Sequence, residues 1–253
     1  MMKITFLGTG TSTGVPQIGC KCKVCTSTDS KDKRLRSSAL IETASARILI
    51  DCGPDFRQQI LKTAFKPLDA VLLTHEHYDH VGGIDDLRPF SVFGDVPLYA
   101  LERTASHLRQ SLPYCFVENK YPGVPRLDLR TIMPHEEFKI GDIQICPIEI
   151  MHACLPILGY RLNNMAYITD MKTIADEELA YLQDLDVLIV NGLRHEEHYS
   201  HQTIEEACDF ARQIGARQTY LIHMGHHIDL HEHEDARLPD HVRMAYDGMV
   251  ITC

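Results

Sequence analysis

Short apolar runs recur along the whole chain and are separated by polar or glycine-containing stretches. Runs of about four to eight residues, either continuously apolar or alternating with polar positions, are typical of strands. We therefore predict strands over residues 3–7, 39–42, 47–51, 70–73, 128–132, 143–150, 166–170, 187–190 and 219–222.

Three longer segments of mixed apolar and polar residues lie between these strands. They predict helices over residues 56–63, 102–110 and 203–214. Strands mixed with helices around a two-sided core indicate an αββα sandwich. The predicted fold class is therefore α/β, with this sandwich as its architecture.

The chain ends on two further apolar runs, residues 243–246 and 249–252, with Asp247-Gly248 between them. Asp-Gly is favoured in the tight two-residue turns of β-hairpins, where both central residues need positive φ. We therefore predict that the last two strands pair with each other.

Length and composition favour one globular unit. The chain has 253 residues, enough for a sizeable core, and no proline-rich, glycine/serine-rich or low-complexity linker divides it. No apolar run approaches the roughly 20 residues of a membrane span, and residues 1–8 are typical of a strand rather than a secretory signal. We expect a single domain over residues 1–253 of a cytoplasmic protein.

The net charge of −10 disfavours broad electrostatic binding to nucleic acid or to an anionic membrane. It does not disfavour a small anionic substrate, because bound divalent cations invert the local field. The basic segment 31–36 is interpreted as a solvated loop, with phosphate contact near a pocket as the alternative. The oligomeric state stays open, and a homodimer is possible.

The most informative motif is Thr-His-Glu-His-Tyr-Asp-His at residues 74–80, which directly follows the predicted strand 70–73. Imidazole and carboxylate are ligands that zinc and similar divalent metals prefer. Residues two apart share a face of an extended segment, so His75 and His77 can bind one ion together. If the chain then turns helical, Asp79 and His80 point toward a second ion.

This motif resembles the His-x-His-x-Asp-His signature of the metallo-β-lactamase superfamily, and the resemblance covers nearly the whole chain. The superfamily adds a His, an Asp and a His after later strands; His152, Asp170 and His223 fit those positions. The resemblance implies two catalytic divalent metals, zinc or manganese. It implies His75, His77 and His152 at one metal, Asp79, His80 and His223 at the other, and Asp170 as the bridge.

Three of the nine cysteines lie close together, as Cys20-Lys21-Cys22-Lys23-Val24-Cys25. Thiolates bunched this tightly need a cation to offset their repulsion, and tetrahedral zinc provides one. We predict a structural zinc here, with His226 as fourth ligand; His227, His231 and His233 are the alternatives, and a redox-active cysteine cluster is the competing interpretation. We expect the neighbouring lysines to lower the thiol pKa values.

With these cysteines the chain is similar to the PhnP-like branch, the phosphoribosyl cyclic phosphodiesterases, which carries such a knuckle and a His three residues after the last catalytic His. PqqB-like proteins share a similar knuckle. The resemblance implies hydrolysis of a small cyclic phosphodiester such as phosphoribosyl 1,2-cyclic phosphate, with a metal-bridged hydroxide attacking phosphorus and Asp79 orienting it.

The same resemblance implies His201 as the general acid that protonates the leaving group, with His195 and His198 as alternatives. Asp51, at the end of the strand 47–51, is the expected hydrogen-bond partner behind a metal-binding imidazole. Two other classes of function stay open. One is a metallohydrolase of another bond, such as a lactone or thioester, and the other is a PqqB-like non-hydrolytic role.

Overall fold

The computed structural model describes residues 1–119 and 121–253, which form two facing β-sheets with helices on both outer surfaces. Each sheet has seven strands. The first sheet contains β1 (Lys3–Gly8), β2 (Ser38–Glu42), β3 (Arg47–Ile50), β4 (Ala70–Leu72), β5 (Val96–Ala100), β6 (Leu127–Thr131) and β14 (Val250–Thr252). The second contains β7 (Phe138–Ile140), β8 (Ile143–His152), β9 (Leu155–Leu162), β10 (Met165–Ile168), β11 (Val187–Asn191), β12 (Gln218–Ile222) and β13 (Val242–Met244).

The helices are short, and six α-helices occur in the described ranges. They are α1 (Lys23–Thr26), α2 (Phe56–Ile60), α3 (Tyr78–Val81), α4 (Glu102–Ser111), α5 (Ile204–Ile214) and α6 (His231–Asp235). Helix α5 shows how local sequence sets a boundary: Thr203 caps its N-terminus in a capping box with Glu206, and Gly215 ends it in the left-handed region, at φ 69°.

Both sheets change from antiparallel to parallel pairing part of the way across. The first runs in the order β14-β1-β2-β3-β4-β5-β6 and is parallel from β3 to β6. The second runs β13-β12-β11-β10-β9-β8-β7 and is parallel from β10 to β13. Because parallel strands end at the same edge of a sheet, residues that follow several of them are brought together.

The core lies in three layers. Buried side chains from both sheets meet in the middle layer, for example Ile48 with Leu158 and Tyr167. A second apolar layer lies under α5 and includes Phe210, and a third lies under α2 and α4 and includes Phe56. This arrangement confirms the predicted α/β class and the αββα sandwich.

The predicted terminal hairpin is wrong. Strand β13 pairs with β12 in the second sheet, whereas β14 pairs with β1 in the first, so the chain crosses between the sheets at Asp247-Gly248. The Asp247 carboxylate accepts hydrogen bonds from Thr9 Oγ1 at 2.8 Å and from the Leu35 amide at 2.7 Å. Asp247 therefore ties three loops together instead of making a two-residue turn.

Strand β9 was not predicted. It pairs with β8 along eight residues, from Ile145 opposite Leu162 to His152 opposite Leu155. Pro156 and Gly159 interrupt the strand pattern in the sequence. Strand β9 still forms because only its C-terminal residues, Tyr160 to Leu162, pair with β10, so that Pro156 and Gly159 need no partner in β10. No described helix is long and apolar enough to cross a membrane.

Candidate active site and metal-binding clusters

The polar residues singled out in the sequence lie at one edge of the sandwich, where strands of both sheets end. Asp51 and residues 75–80 follow β3 and β4, while Asp170 and His223 follow β10 and β12. Asp51, Asp170 and His223 have φ values of 58°, 60° and 58°. Non-glycine residues adopt this left-handed region at a cost in energy, which is commonly accepted at functional sites.

The first cluster consists of His75, His77 and His152, whose ligand atoms lie within 4.8 Å of one another. His75 Nε2 is 3.0 Å from His77 Nδ1. His152 Nδ1 faces the carbonyl oxygens of Asp170 and Ser200 at 2.8 and 3.0 Å, so it carries the proton and donates. The Nε2 lone pair of His152 is then available to a metal.

The second cluster consists of Asp79, His80, Asp170 and His223, all buried. Asp170 Oδ1 is 3.3 Å from His80 Nε2, and Asp170 Oδ2 is 3.3 Å from His223 Nε2. The same Oδ2 is 3.9 Å from His75 Nε2 in the first cluster. The Asp170 carboxylate therefore lies between the two clusters, where a bridging ligand must lie.

Asp51 supports the second cluster from behind, as predicted. Its Oδ2 accepts a hydrogen bond from His80 Nδ1 at 2.7 Å, and its Oδ1 accepts one from the Thr74 amide at 2.8 Å. The Thr74 hydroxyl also donates to Asp51 and is 3.0 Å from His75 Nδ1. Asp51 thus fixes His80 directly and His75 through Thr74, a role for Thr74 that the sequence did not reveal.

The pKa shifts in the second cluster indicate that its carboxylates need a positive charge between them. Burial lowers the tendency of His80 to be charged, but the carboxylates of Asp170, Asp79 and Asp51 outweigh it and raise the pKa of His80 well above its ordinary value. Burial opposes ionisation of Asp79 and Asp170 too, yet the surrounding imidazoles lower the pKa values of both. A proton on His80 therefore occupies the place that a metal would take.

A further observation supports a divalent metal at the second cluster. His80 Nε2 is buried and lies 3.1 Å from Asp79 Oδ2 and 3.3 Å from Asp170 Oδ1, but it makes no well-oriented hydrogen bond within the described ranges, whereas its Nδ1 is bonded to Asp51. Buried polar atoms nearly always have a partner. Because this nitrogen faces two carboxylates in a cluster of nitrogen and oxygen ligands, the donor set fits a divalent metal ion.

The cysteine cluster contains Cys20, Cys22, Cys25 and His226, again with ligand atoms within 4.8 Å. His226 Nδ1 is 3.3 Å from Cys20 Sγ and 3.5 Å from Cys22 Sγ. The other nitrogen of His226, Nε2, is buried without a partner in the described ranges. Three sulfurs and one imidazole nitrogen match a closed tetrahedral zinc site.

The thiol pKa values in this cluster are set by burial and hydrogen bonds, and not by the neighbouring lysines as expected. Burial opposes ionisation of Cys22, but hydrogen bonds from the Cys25 amide and from His226 lower its pKa to about 6. Lys23 takes no part, since its ammonium group binds Asp229 at 2.7 Å. Burial and the neighbouring thiols raise the pKa of Cys25 to about 11, so a cation is needed before all three thiols ionise.

The three alternative histidines near His226 are not part of the cysteine cluster. His231 is instead buried, and its Nδ1 is 3.2 Å from Arg34 Nη2. Arg34 itself is fully buried and donates to Thr9 Oγ1 and to the Ala245 carbonyl. The interpretation of the basic segment 31–36 as a solvated loop is therefore wrong for Arg34.

His201 lies beside both metal-binding clusters. Its ring centroid is 4.7 Å from that of His152 and 4.8 Å from that of His223, and its Nδ1 is 3.8 Å from Asp170 Oδ2. Burial lowers the pKa of His201 to about 3, against the attraction of Asp170. Of the two alternatives, the His198 ring is 5.0 Å from His201, whereas His195 binds Glu205 and Glu234.

Asn191 is another residue that the sequence did not single out. Its side chain accepts a hydrogen bond from the Met171 amide at 2.7 Å and donates to the Met171 carbonyl at 3.0 Å, which holds the turn next to Asp170. The signal for Asn191 in the sequence was a side-chain amide directly after the apolar run 187–190. A strand-end Asn is common enough that the signal carried little weight.

Comparison with known proteins agrees with this geometry. The family model described as "Beta-lactamase superfamily domain" matches residues 46–224. A crystal structure titled as a new diphosphatase from the PhnP family superposes with a TM-score of 0.92 at 35% identity, over 100% of this chain and 98% of that chain. Zn²⁺-bound PqqB from Methylobacterium extorquens shares the fold, with a TM-score of 0.79 at 20% identity over 99% and 100% of the two chains.

An octanoyltransferase from Porphyromonas gingivalis is 50% identical over 250 residues, which are 98% of this chain and 51% of that protein. This chain therefore spans about half the length of that relative. The match of the family model to most of the chain decides the classification. The chain belongs to the β-lactamase superfamily, has the metallo-β-lactamase fold and is similar to the PhnP family within it.

Proposed function

We propose that the chain is a binuclear metal-dependent hydrolase, and that its substrate is a small phosphodiester such as a cyclic phosphate. The observation that carries this proposal is the position of the Asp170 carboxylate, which lies 3.3 Å from His80 and His223 and 3.9 Å from His75. A carboxylate shared by two clusters of metal ligands supports a pair of ions rather than a single one.

The proposed ligands form two sets that share Asp170. His75, His77 and His152 would hold one ion, and Asp79, His80 and His223 would hold the other. Two ions bound in this way supply an activated water and stabilise the oxygens around a reacting phosphorus. They also account for an anionic substrate on a chain of net charge −10, because the cations reverse the field inside the pocket.

The chain's own residues have three further tasks in this proposal. Asp79 would accept a hydrogen bond from the attacking water and so orient it. Asp51 and Thr74 hold His80 and His75 in place. His201 faces the leaving oxygen.

The low pKa of His201 means that its ring is neutral before substrate binds. A neutral ring still donates a hydrogen bond from its N–H, and a phosphodiester anion beside it raises the pKa toward that of a proton donor.

Two names among the relatives suggest other bonds. The PhnP-family structure is titled a diphosphatase, which supports a phosphoric anhydride as a second candidate substrate because the same phosphoryl chemistry applies. The octanoyltransferase name supports acyl chemistry less, since about half of that protein lies outside the match. Thioester or lactone hydrolysis and a PqqB-like non-hydrolytic role remain the competing classes.

A substrate panel tests the proposal. The protein, loaded with zinc or with manganese, is assayed with bis(p-nitrophenyl) phosphate, ribose 1,2-cyclic phosphate, a nucleoside diphosphate, an acyl thioester and a lactone. We expect turnover of the phosphodiesters that is lost in Asp170→Asn. Turnover of only the thioester or the lactone would reject the proposal, and preference for the diphosphate would replace the phosphodiester by the anhydride.

A further inference from the structure

His195 does not belong to the metal-binding clusters, but its side chain binds two carboxylates from two helices. Its Nδ1 is 2.7 Å from Glu205 Oε1 in α5, and its Nε2 is 3.0 Å from Glu234 Oε1 in α6. The Glu234 side chain is only 2% exposed, and its other oxygen accepts a hydrogen bond from the Asp229 amide. His195 is therefore fixed from both sides.

His195 lies near the start of a loop that is tied down at its two ends. The Leu193 amide donates to the Gln202 carbonyl, and the Ile204 amide donates to the Arg194 carbonyl, each at 3.0 Å. Between these ends the chain projects outward, with Glu196, Glu197 and Tyr199 exposed. Main-chain pairing at the ends therefore leaves the orientation of residues 195–200 to side-chain contacts. Arg194 donates to the Glu196 and Glu197 carbonyls at 3.2 and 3.0 Å within the loop. The His195 side chain, although 41% exposed, connects the loop to α5 and α6.

The far end of the same loop contacts the proposed active site. The Ser200 carbonyl accepts the hydrogen bond that orients His152, at 3.0 Å. His201 follows it directly, with its ring against those of His152 and His223. A shift of this loop would therefore move a proposed metal ligand and the proposed proton donor together.

We propose that His195 is a positioning residue for this reaction: by bridging Glu205 and Glu234, it holds the loop 194–201 so that Ser200 and His201 face the metal-binding clusters. This inference rests on the proposed function for its kinetic consequence. The structural consequence, an ordered loop, is independent of the substrate.

The bridge requires the imidazolium form. A neutral imidazole has one N–H, whereas both nitrogens of His195 face carboxylate oxygens, and only the doubly protonated ring donates to both. The groove around it also contains Asp209, Arg212 and Arg237; Arg212 binds Asp209 at 2.7 Å and Arg237 binds Asp229 at 3.1 Å. Burial opposes the charge, but the two glutamates outweigh it and raise the pKa of His195 above its ordinary value.

The pH dependence follows from that direction. A raised pKa in the folded state means that the bridge is complete at low pH and is lost as the pH rises through the pKa of the folded protein. Above that pH His195 donates to one glutamate only. The loop should therefore become more mobile as the pH rises through the pKa of His195.

The test compares His195→Gln and His195→Arg with the wild type and with His233→Gln as matched control. His233 is an exposed histidine of α6 that lies 3.6 Å from Asp229 and outside the loop. Metal content and thermal unfolding establish that each variant is folded and loaded. Hydrogen exchange of residues 195–200 is measured between pH 6 and pH 9, together with kcat and KM on bis(p-nitrophenyl) phosphate.

We expect the protection of the wild-type loop, measured as the exchange rate relative to the intrinsic rate at each pH, to fall as the pH rises, and the protection in His195→Gln to be low throughout. His195→Gln should lose about 10- to 100-fold in kcat with little change in KM, since misplacing a reacting group by about 1 Å has an effect of this size. His195→Arg, which stays charged, should keep the loop ordered at pH 9 and restore much of kcat.

The outcomes separate the two proposals. Unchanged loop exchange in His195→Gln, or kcat equal to that of His233→Gln, would overturn the positioning role of His195. If neither the wild type nor any variant hydrolyses the phosphodiester, the proposed function is wrong. The exchange data would still decide whether His195 orders the loop.

Discussion

Replacing Asp51 by asparagine tests how the proposed metal site is held together. Asp51 accepts hydrogen bonds from His80 Nδ1 at 2.7 Å and from the Thr74 amide and hydroxyl, and it is completely buried. Asparagine has one acceptor oxygen and one NH₂ group, so it cannot satisfy both His80 and the Thr74 amide. Whichever way the amide turns, two donors face each other inside the protein.

Two magnitudes follow from this geometry. A buried donor left without a partner costs about 1–3 kcal/mol of folding free energy. Loss of the partner that fixes a ligand imidazole weakens metal binding by about 10- to 100-fold, which is about 1.4–2.7 kcal/mol. Thus Asp51→Asn should fold, should melt at a lower temperature and should need a higher free metal concentration to fill the two-metal site.

The assay is metal content after equilibration at a series of buffered free zinc concentrations, with thermal unfolding of the same samples. Asp69→Asn is the matched control, because Asp69 also accepts a backbone hydrogen bond, from the Arg47 amide at 2.7 Å, but lies outside the metal-binding clusters. Because Asp69 is exposed and the asparagine oxygen can still accept from the Arg47 amide, the control should keep both its stability and its metal affinity. Wild-type metal affinity in Asp51→Asn would refute the reasoning.

Three further predictions follow from other parts of the molecule. His201→Ala should keep its metals and lose about 10²- to 10⁴-fold in kcat on an anionic phosphodiester, and wild-type turnover would remove His201 from the mechanism. Cys22→Ser should lose one zinc per chain in metal analysis while the two-metal site still fills; retention of all zinc would contradict a zinc at the cysteine cluster. Burial raises the pKa of Asp247 to about 6, so its contribution to stability is lost as the pH rises through that value. Between pH 4.5 and pH 7.5, the stability of Asp247→Asn in denaturant unfolding should therefore rise by about 2 kcal/mol relative to that of the wild type, and a constant difference would show that Asp247 does not titrate in this way.

The residues of the proposed active site were accessible to sequence reasoning because of where they occur in the chain. Residues 75–80 are consecutive and follow a buried strand, so their side chains must lie together at its end. His152, Asp170 and His223 each end or follow an apolar run, and the structure brings them to the same edge. A local pattern was enough for residues 75–80, whereas His152, Asp170 and His223 were assigned through the resemblance to the superfamily.

Features that depend on contacts between distant segments were not accessible. Asp247-Gly248 has the composition of a hairpin turn, but hydrogen bonds to Thr9 and Leu35, more than two hundred residues away, direct the chain to the other sheet. His231 resembles an exposed histidine until Arg34 is found beside it. Tertiary contacts outweigh local preference at these positions, and one sequence does not display them.

The central claim is that the two clusters sharing Asp170 form one phosphodiester-cleaving site that needs two metal ions. It is tested most directly by titrating metal-stripped protein with manganese or zinc and measuring hydrolysis of ribose 1,2-cyclic phosphate after each addition. Activity should rise to a plateau when two ions are bound outside the cysteine cluster, and Asp170→Asn should stay inactive at every metal concentration. Full activity in the metal-stripped protein, or in Asp170→Asn, would contradict the account.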